Sequence, residues 1–457
     1  MVRLKEKSIG RLAVLRRKYV SDKPFMFILA AVVGIFAGTG AYILKHLIGY
    51  LSGWLTSGLR PEGANWLLLL LPVCGIMLTG IFCRYVLHKN LAHGVRQLMA
   101  DLRNKDYRLS PRLTFIPILA STLTLGFGGS AGSEGPIAYT GAAIGSNMAR
   151  MFRLSPQMMM IMIGCGAGAG IAGIFKAPLG GALFTLEVLR MELTTMSVLV
   201  LLVCTITAAM TAFVLGGCTM DIPVGDIAVF DATLIPCVIL LGVFCGFYSL
   251  YYSYIMKMVE RWLTKIRNPW VLNIAGGLVL GVAVFVFPAL YGEGYGVVGK
   301  VLNGDFAPIA ADGMFSWGIT DVRLLLLVVA GTLVVKCFAT SATNSGGGVS
   351  GDFAPTLFAG CMAGFLFASL MNYVFGMTLP VEQFALFGMA GVMAGAIRAP
   401  LMALVLTSEM AAAFDYFLPL MVVSAISFGV VRLFTSDDYY RSRMDRNNGL
   451  LSKVAKQ

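Results

Sequence analysis

Long apolar runs follow one another along this chain with little between them. The charge-poor stretches are Phe25–Leu44, Trp66–Cys83, Leu113–Ser133, Ser197–Met220, Ala232–Met256, Trp270–Gly292, Phe353–Val381 and Tyr416–Val431. A helix needs ~20 apolar residues to span a bilayer, so the pattern predicts a bundle of membrane helices with no aqueous domain longer than a loop. Residues 155–190 and 384–409 are also apolar, but Gly, Pro and single charges interrupt them. They predict short, tilted or broken helices. Basic side chains gather at both ends. Arg3, Lys5, Lys7, Arg11, Arg16, Arg17, Lys18 and Lys23 face only Glu6 and Asp22 in the first 24 residues, and Arg432, Arg441, Arg443, Arg446, Lys453 and Lys456 mark the last 26. A signal peptide would pass at once from its basic start into an apolar core. The long amphipathic start predicts an interfacial helix instead. Both ends are expected on the cytoplasmic side, with an even number of crossings.

Composition sharpens this class. Of 457 residues, 58% are apolar and 13% charged, with mean hydropathy +0.80. Soluble domains run roughly 45–50% apolar and about 25% charged. An ordinary cytosolic enzyme, a disordered regulator and a nucleic-acid module are therefore excluded. The net charge of +12 fits a loop bias of a polytopic protein. Three histidines, His46, His88 and His93, cannot build a multi-His metal centre, and nine scattered cysteines form no Cys-x-x-Cys pair. No Gly-x4-Gly-Lys-[Ser/Thr] loop is present, which excludes an ATP-driven pump. No enzyme activity and no cofactor are expected. The 53 glycines predict close helix packing and helix breaks.

An internal repeat is readable. Lys176-Ala177-Pro178-Leu179 runs on to Glu187, and Arg398-Ala399-Pro400-Leu401 runs on to Glu409, at an offset of 222 residues. Upstream, Gly132-Ser133-Glu134-Gly135-Pro136 precedes Gly141 and Gly145. Gly351-Asp352-Phe353-Ala354-Pro355 precedes Gly360 and Gly364, at an offset of 219. Two halves with Gly/Pro-broken segments at matching places are the signature of a duplicated transporter fold with its site at the repeat interface. Each broken segment passes from a Gly-rich loop into a helix opened by Pro. A helix N-terminus inside the membrane offers unpaired N–H groups and the positive end of the dipole, which suits an anion. Two converging termini predict an anion site of backbone, with Ser133, Gly135, Asp352 and Phe353 around it. Such a site holds an anion without trapping it. Cation symport would call for acidic ligands instead. Glu134 lies in the loop that faces the anion. Ionised, it can occupy an anion position itself; protonated, it lets go, making one side chain both gate and proton carrier. Its alternative role is a helix-capping glutamate. Asp352 is expected to cap its helix with its side chain turned from the ion. Lys176, Arg190 and Arg398 are expected to snorkel or to pair with Glu187, Glu192 and Glu409.

On these residues the chain resembles the CLC family of chloride channels and proton–chloride exchangers, over roughly Phe25 to Tyr440. Gly132-Ser133-Glu134-Gly135-Pro136 matches the family's Gly-Arg-Glu-Gly-Pro with Ser for Arg. Gly351-Asp352-Phe353-Ala354-Pro355 matches its Gly-x-Phe-x-Pro, and both Ala-Pro-Leu segments recur there. The resemblance implies an all-α inverted-repeat membrane fold of the prokaryotic type without CBS domains. It also implies a homodimer with one pore per subunit, and Glu134 as external gate. The expected division is a cytoplasmic segment 1–24, a first repeat half 25–220, a second half 221–435 and a cytoplasmic tail 436–457. No folded domain is expected after the last run. The place expected is a bacterial inner membrane.

Three departures matter. The family's Gly-Ser-Gly-Ile-Pro loop stands here as Ala92-His93-Gly94-Val95-Arg96, so His93 and Gly94 take the place of the serine loop beside the central anion. His93 reads equally as an interfacial histidine. The family's pore tyrosine maps to Tyr440, or to Tyr439. Val188 stands where exchangers commonly carry an inner proton-transfer glutamate, as it does in channel members. Proton–chloride exchange through Glu134 is the leading expectation, a passive chloride channel the second, and a fluoride/proton antiporter a distant third because Pro136 is present.

Overall fold

The computed structural model describes residues 21–58, 65–87, 94–103, 107–191, 194–218, 222, 230–306, 309 and 322–435. Among these, the chain is helical throughout, with one isolated bridge and no extended strand. In chain order the helices are α1 Asp22–Thr56, α2 Leu67–Phe82, α3 Gly94–Arg103, α4 Ile116–Gly126, α5 Glu134–Met151, α6 Pro156–Phe175, α7 Pro178–Leu183 and α8 Thr195–Leu215. They continue as α9 Ile235–Leu263, α10 Pro269–Val286, α11 Tyr295–Leu302, α12 Val322–Ser345, α13 Phe353–Phe375, α14 Val381–Ile397, α15 Pro400–Met410 and α16 Phe417–Phe434.

Nine helices of the described residues are long and apolar enough to cross a membrane. Two of them form the centre. Pro156–Phe175 and Phe353–Phe375 are buried over 83% of their apolar windows, against 33–50% for the rest. The outer helices turn Ile35, Phe36, Trp54, Leu240, Phe247 and Leu327 outward, as a lipid-facing surface requires.

The run Leu113–Ser133 does not make a spanning helix. A 3-10 turn at Pro111–Thr114 and the 11-residue α4 precede a glycine loop. Conversely, the first part of 155–190 is one unbroken 20-residue helix, α6. Its glycines do not break it because they take up helix contact. A Cβ on Gly166 would strike the carbonyl oxygen of Gly141 in α5, and one on Gly145 would strike that of Met162. The second repeat does the same: Gly360 meets Gly388, and Gly364 meets Phe384. Only glycine lets backbones approach this closely. Both crossings then end alike, in a left-handed residue at Lys176 (φ 54°) and Arg398 (φ 64°), followed by Ala-Pro-Leu. Helix α12 carries a charge, Lys336, in its apolar interior, and the pattern of charge-poor runs passed over it.

The N-terminal segment before Ser21, the tail after Thr435 and Glu192 lie outside the described residues.

Candidate functional site

The two glycine loops meet face to face. Gly132 N–H donates to the Gly351 carbonyl (2.9 Å) and Gly351 N–H to that of Gly132 (2.6 Å). Further hydrogen bonds repeat the same two-fold relation. Val349 N–H donates to Thr124 Oγ1 (3.0 Å), and Ser130 N–H to Thr343 Oγ1 (3.2 Å). Each loop turns through a glycine at positive φ, Gly128 (95°) and Gly347 (109°). The backbone groups that leave regular structure are therefore paired with the opposite repeat, which is how irregular chain persists at membrane depth.

Glu134 opens α5 and is 1% exposed. Its side chain reaches across to the other repeat. Oε1 accepts from Ala354 N–H at the start of α13 (2.8 Å) and from the Tyr295 hydroxyl (3.1 Å). Oε2 is buried with no hydrogen-bond partner among the described residues. Gly132 makes this pose possible, since a Cβ there would collide with both Glu134 oxygens. The capping reading is thus satisfied in an unusual way: the carboxylate sits on the N-terminus of the other repeat's helix, where an anion would sit.

Ser133 is buried, and both its N–H (2.9 Å) and its hydroxyl (2.6 Å) donate to Glu293 Oε1. Gly135 packs on the Ser350 carbonyl, with no room for a Cβ. Phe353 is buried with its ring edge-on to Phe184, centroids 5.7 Å apart. Asp352 turns its carboxylate aside, as expected, but it does not cap α13 through that side chain. It accepts instead from the Asn344 side-chain amide, a charge-assisted bond that competes successfully with capping. Gly94 opens α3, which is tied to the core by the Tyr139 hydroxyl donating to Asp101 (2.7 Å). His93, Tyr439 and Tyr440 lie outside the described residues.

The inner glutamates differ from the ion-pair expectation. Glu187 accepts from Met402 N–H (2.8 Å) and Leu401 N–H (3.4 Å); Glu409 accepts from Gly180 N–H (2.8 Å) and Leu179 N–H (3.0 Å). Each acid caps the Ala-Pro-Leu helix of the other repeat, because the first N–H groups of a helix have no partner within it and need acceptors. Val188 ends the π-helical turn Phe184–Val188 and packs on the core.

Three site residues escaped the sequence reading. Lys336 is fully buried, its Nζ 2.9 Å from Ser130 Oγ and 4.7 Å from the centroid of the Phe358 ring. A charge inside an apolar helix is itself the signal for it. Glu293 stands in a glycine-flanked turn and Tyr295 opens α11 just after it, in a stretch that carries no recognisable motif. Among the described residues no three His, Cys, Asp or Glu side chains converge as metal ligands.

Residues 75–432 match the family model described as voltage gated chloride channel. A ClcB-like chloride channel protein of Ralstonia nicotianae is 28% identical over 436 residues, 92% of this chain and 97% of that protein. The voltage-gated ClC-type chloride channel ClcB of an Escherichia coli strain is 26% identical over 435 residues, 92% of this chain and 99% of its own. Among solved structures, a slow cyanobacterial Cl−/H+ antiporter is similar with TM-score 0.74 at 22% identity, covering 94% of this chain and 98% of that one. A CLC-type fluoride/proton antiporter gives TM-score 0.72 at 21% identity, covering 90% and 95%. These structural likenesses bear on the fold.

Proposed function

This chain belongs to the voltage-gated chloride channel family, and we propose that it exchanges chloride and other small anions for protons across a bacterial inner membrane, with Glu134 as the gate. The observation that carries the reading is the 2.8 Å bond from Ala354 N–H to Glu134 Oε1. A carboxylate on a helix N-terminus is held by charge as well as by hydrogen bonding. Protonation removes the charge, weakens its hold on Ala354 N–H and frees that donor for an arriving anion. When the anion leaves, the deprotonated side chain can return. Exchange follows when the proton taken up on the Glu134 side at each release is given up toward the opposite face before the carboxylate returns.

The ligand is the transported anion, held by backbone donors of Gly135, Asp352 and Phe353 together with Ala354; Ser133, Gly94, His93 and Tyr440 are further anion-binding candidates by the family resemblance. A homodimer with both termini cytoplasmic completes the assembly. Val188 favours a second reading, a passive chloride channel of the same fold, because it offers no inner proton acceptor.

Purified protein in vesicles under an imposed chloride gradient separates the two, with chloride and proton fluxes followed together. Exchange moves protons against chloride in the wild type, and Glu134→Gln keeps chloride flux while losing proton movement. Chloride flux with no wild-type proton movement would select the channel. Fluoride flux without chloride flux would select the third reading.

A further inference from the structure

The geometry points to Glu293 as a second tethered anion, one that occupies the Ser133 donors and must leave them before a permeating anion can use them. This rests on the anion-transport reading above. The two carboxylates are built alike. Glu134 Oε1 takes one helix-terminal N–H, from Ala354, and one hydroxyl, from Tyr295. Glu293 Oε1 takes one N–H, from Ser133 at the N-cap of α5, and one hydroxyl, of the same serine. Each is a chelate that a halide could replace, since both donors point at a single oxygen. The serine is specific to the arrangement: its hydroxyl supplies the second donor.

The titratable groups placed around Glu293 come from several elements. They are Glu134 of α5, Lys336 of α12, the Tyr295 phenol of α11, and Lys45 of α1, whose Nζ lies 5.8 Å from the centroid of the Tyr295 ring. Glu293 acts electrostatically on both Glu134 and Lys336. An anion arriving at Ser133 therefore meets a competitor of its own sign. Protonation of Glu293 removes its charge and leaves only a weaker neutral acceptor, which an arriving anion can displace from the Ser133 donors.

Glu293→Gln imitates that state. The amide oxygen is a neutral, weaker acceptor, so an anion can displace it from Ser133. A loop tether alone predicts that this variant behaves as wild type. The tethered-anion role predicts tighter chloride binding at neutral pH, with the dissociation constant lowered by about fivefold, the order expected for removing one screened like charge at contact distance. Isothermal titration of detergent-solubilised protein with chloride reads this directly. The decisive arm uses vesicles in the Glu134→Gln background. If Glu134 were the sole carboxylate gate, chloride flux in that variant would be flat with pH on its own side. With Glu293 acting, flux still rises on acidification, and Glu134→Gln/Glu293→Gln flattens it. A flat profile in Glu134→Gln overturns the role of Glu293 and leaves that of Glu134 standing; so does a dependence that survives in the double variant. If the Gln variants do not fold, wild-type chloride titration at several pH values, compared with Glu293→Asp, serves instead. The shorter acid keeps its charge but withdraws from Ser133, so it should bind chloride more tightly than wild type at neutral pH, and unchanged binding would overturn the proposal. Loss of chloride flux in the wild type itself would instead remove the transport reading.

Discussion

A single missing side chain sets the pose of Glu134. Gly132 has no Cβ, and that space is taken by the Glu134 carboxylate curling back over its own loop. Gly132→Ala therefore evicts the carboxylate from Ala354 N–H without touching its chemistry. The expected result is a chloride flux whose response to pH falls to that of Glu134→Gln while Glu134 itself is intact, checked in vesicles beside that variant. An unchanged pH response would show that the curled pose is not the closed gate. Lys336 works in the opposite electrostatic sense. Its buried amino group, with a serine hydroxyl and an aromatic face as neighbours, interacts electrostatically with Glu134 and Glu293, and when protonated it favours an anion nearby. Lys336→Met keeps length and removes charge. It should weaken chloride binding by about tenfold, a fraction of the direct interaction of unit charges near a protein surface, with cation flux remaining absent. Equal chloride affinity in the two proteins would assign the lysine to packing.

At the scale of elements, the two repeats are fastened by exchange. Glu187 of the first caps α15 of the second, and Glu409 of the second caps α7 of the first. The sequence shows both acids at matching places, 222 residues apart, yet the basic residues beside them invite an ion-pair reading. The physical reason it fails is that Pro-opened helices leave N–H groups without a partner in their own helix, and a carboxylate satisfies two of them at once. Losing a cap costs about 0.5–2 kcal/mol. Glu409→Ala should therefore lower the thermal midpoint in detergent by a few degrees, with Glu187→Ala similar and the double variant less than additive. The glycine crossings carry a larger load. Gly141→Ala in α5 and Gly360→Ala in α13 place a methyl against facing backbone and should each cost about 1–3 kcal/mol, read in the same melting experiment. Wild-type midpoints would show that these helices separate easily, which the burial of α6 and α13 argues against.

At the scale of the molecule, what was legible and what was not divide along the symmetry. The scaffold is nearly two-fold, and its parts recur: Gly132 with Gly351, Thr124 with Thr343, Gly128 with Gly347, Gly141 with Gly360, Glu187 with Glu409. Close approach and buried N–H groups dictate these residues twice, so a repeat exposes them. The chemistry is not two-fold. The position 219 residues after Glu134 is Phe353, and the position 219 before Lys336 is Pro117. Glu293 is placed by tertiary contact, including its bonds from Ser133, and not by a repeat. A repeat cannot reveal residues that occur once, and an apolar-run pattern passes over α12 because Lys336 interrupts it. That same asymmetry has a functional consequence. Under the exchange reading proposed above, Glu134 and Glu293 stand toward one face of the membrane, and Val188, which carries no acid, toward the other. Chloride flux should then respond steeply to pH on one face of the membrane and weakly on the other. Right-side-out and inside-out vesicles from the same cells, with internal and external pH varied separately, read the two faces independently. Equal sensitivity on both faces would mean that a titrating group other than these carboxylates controls entry from the Val188 side.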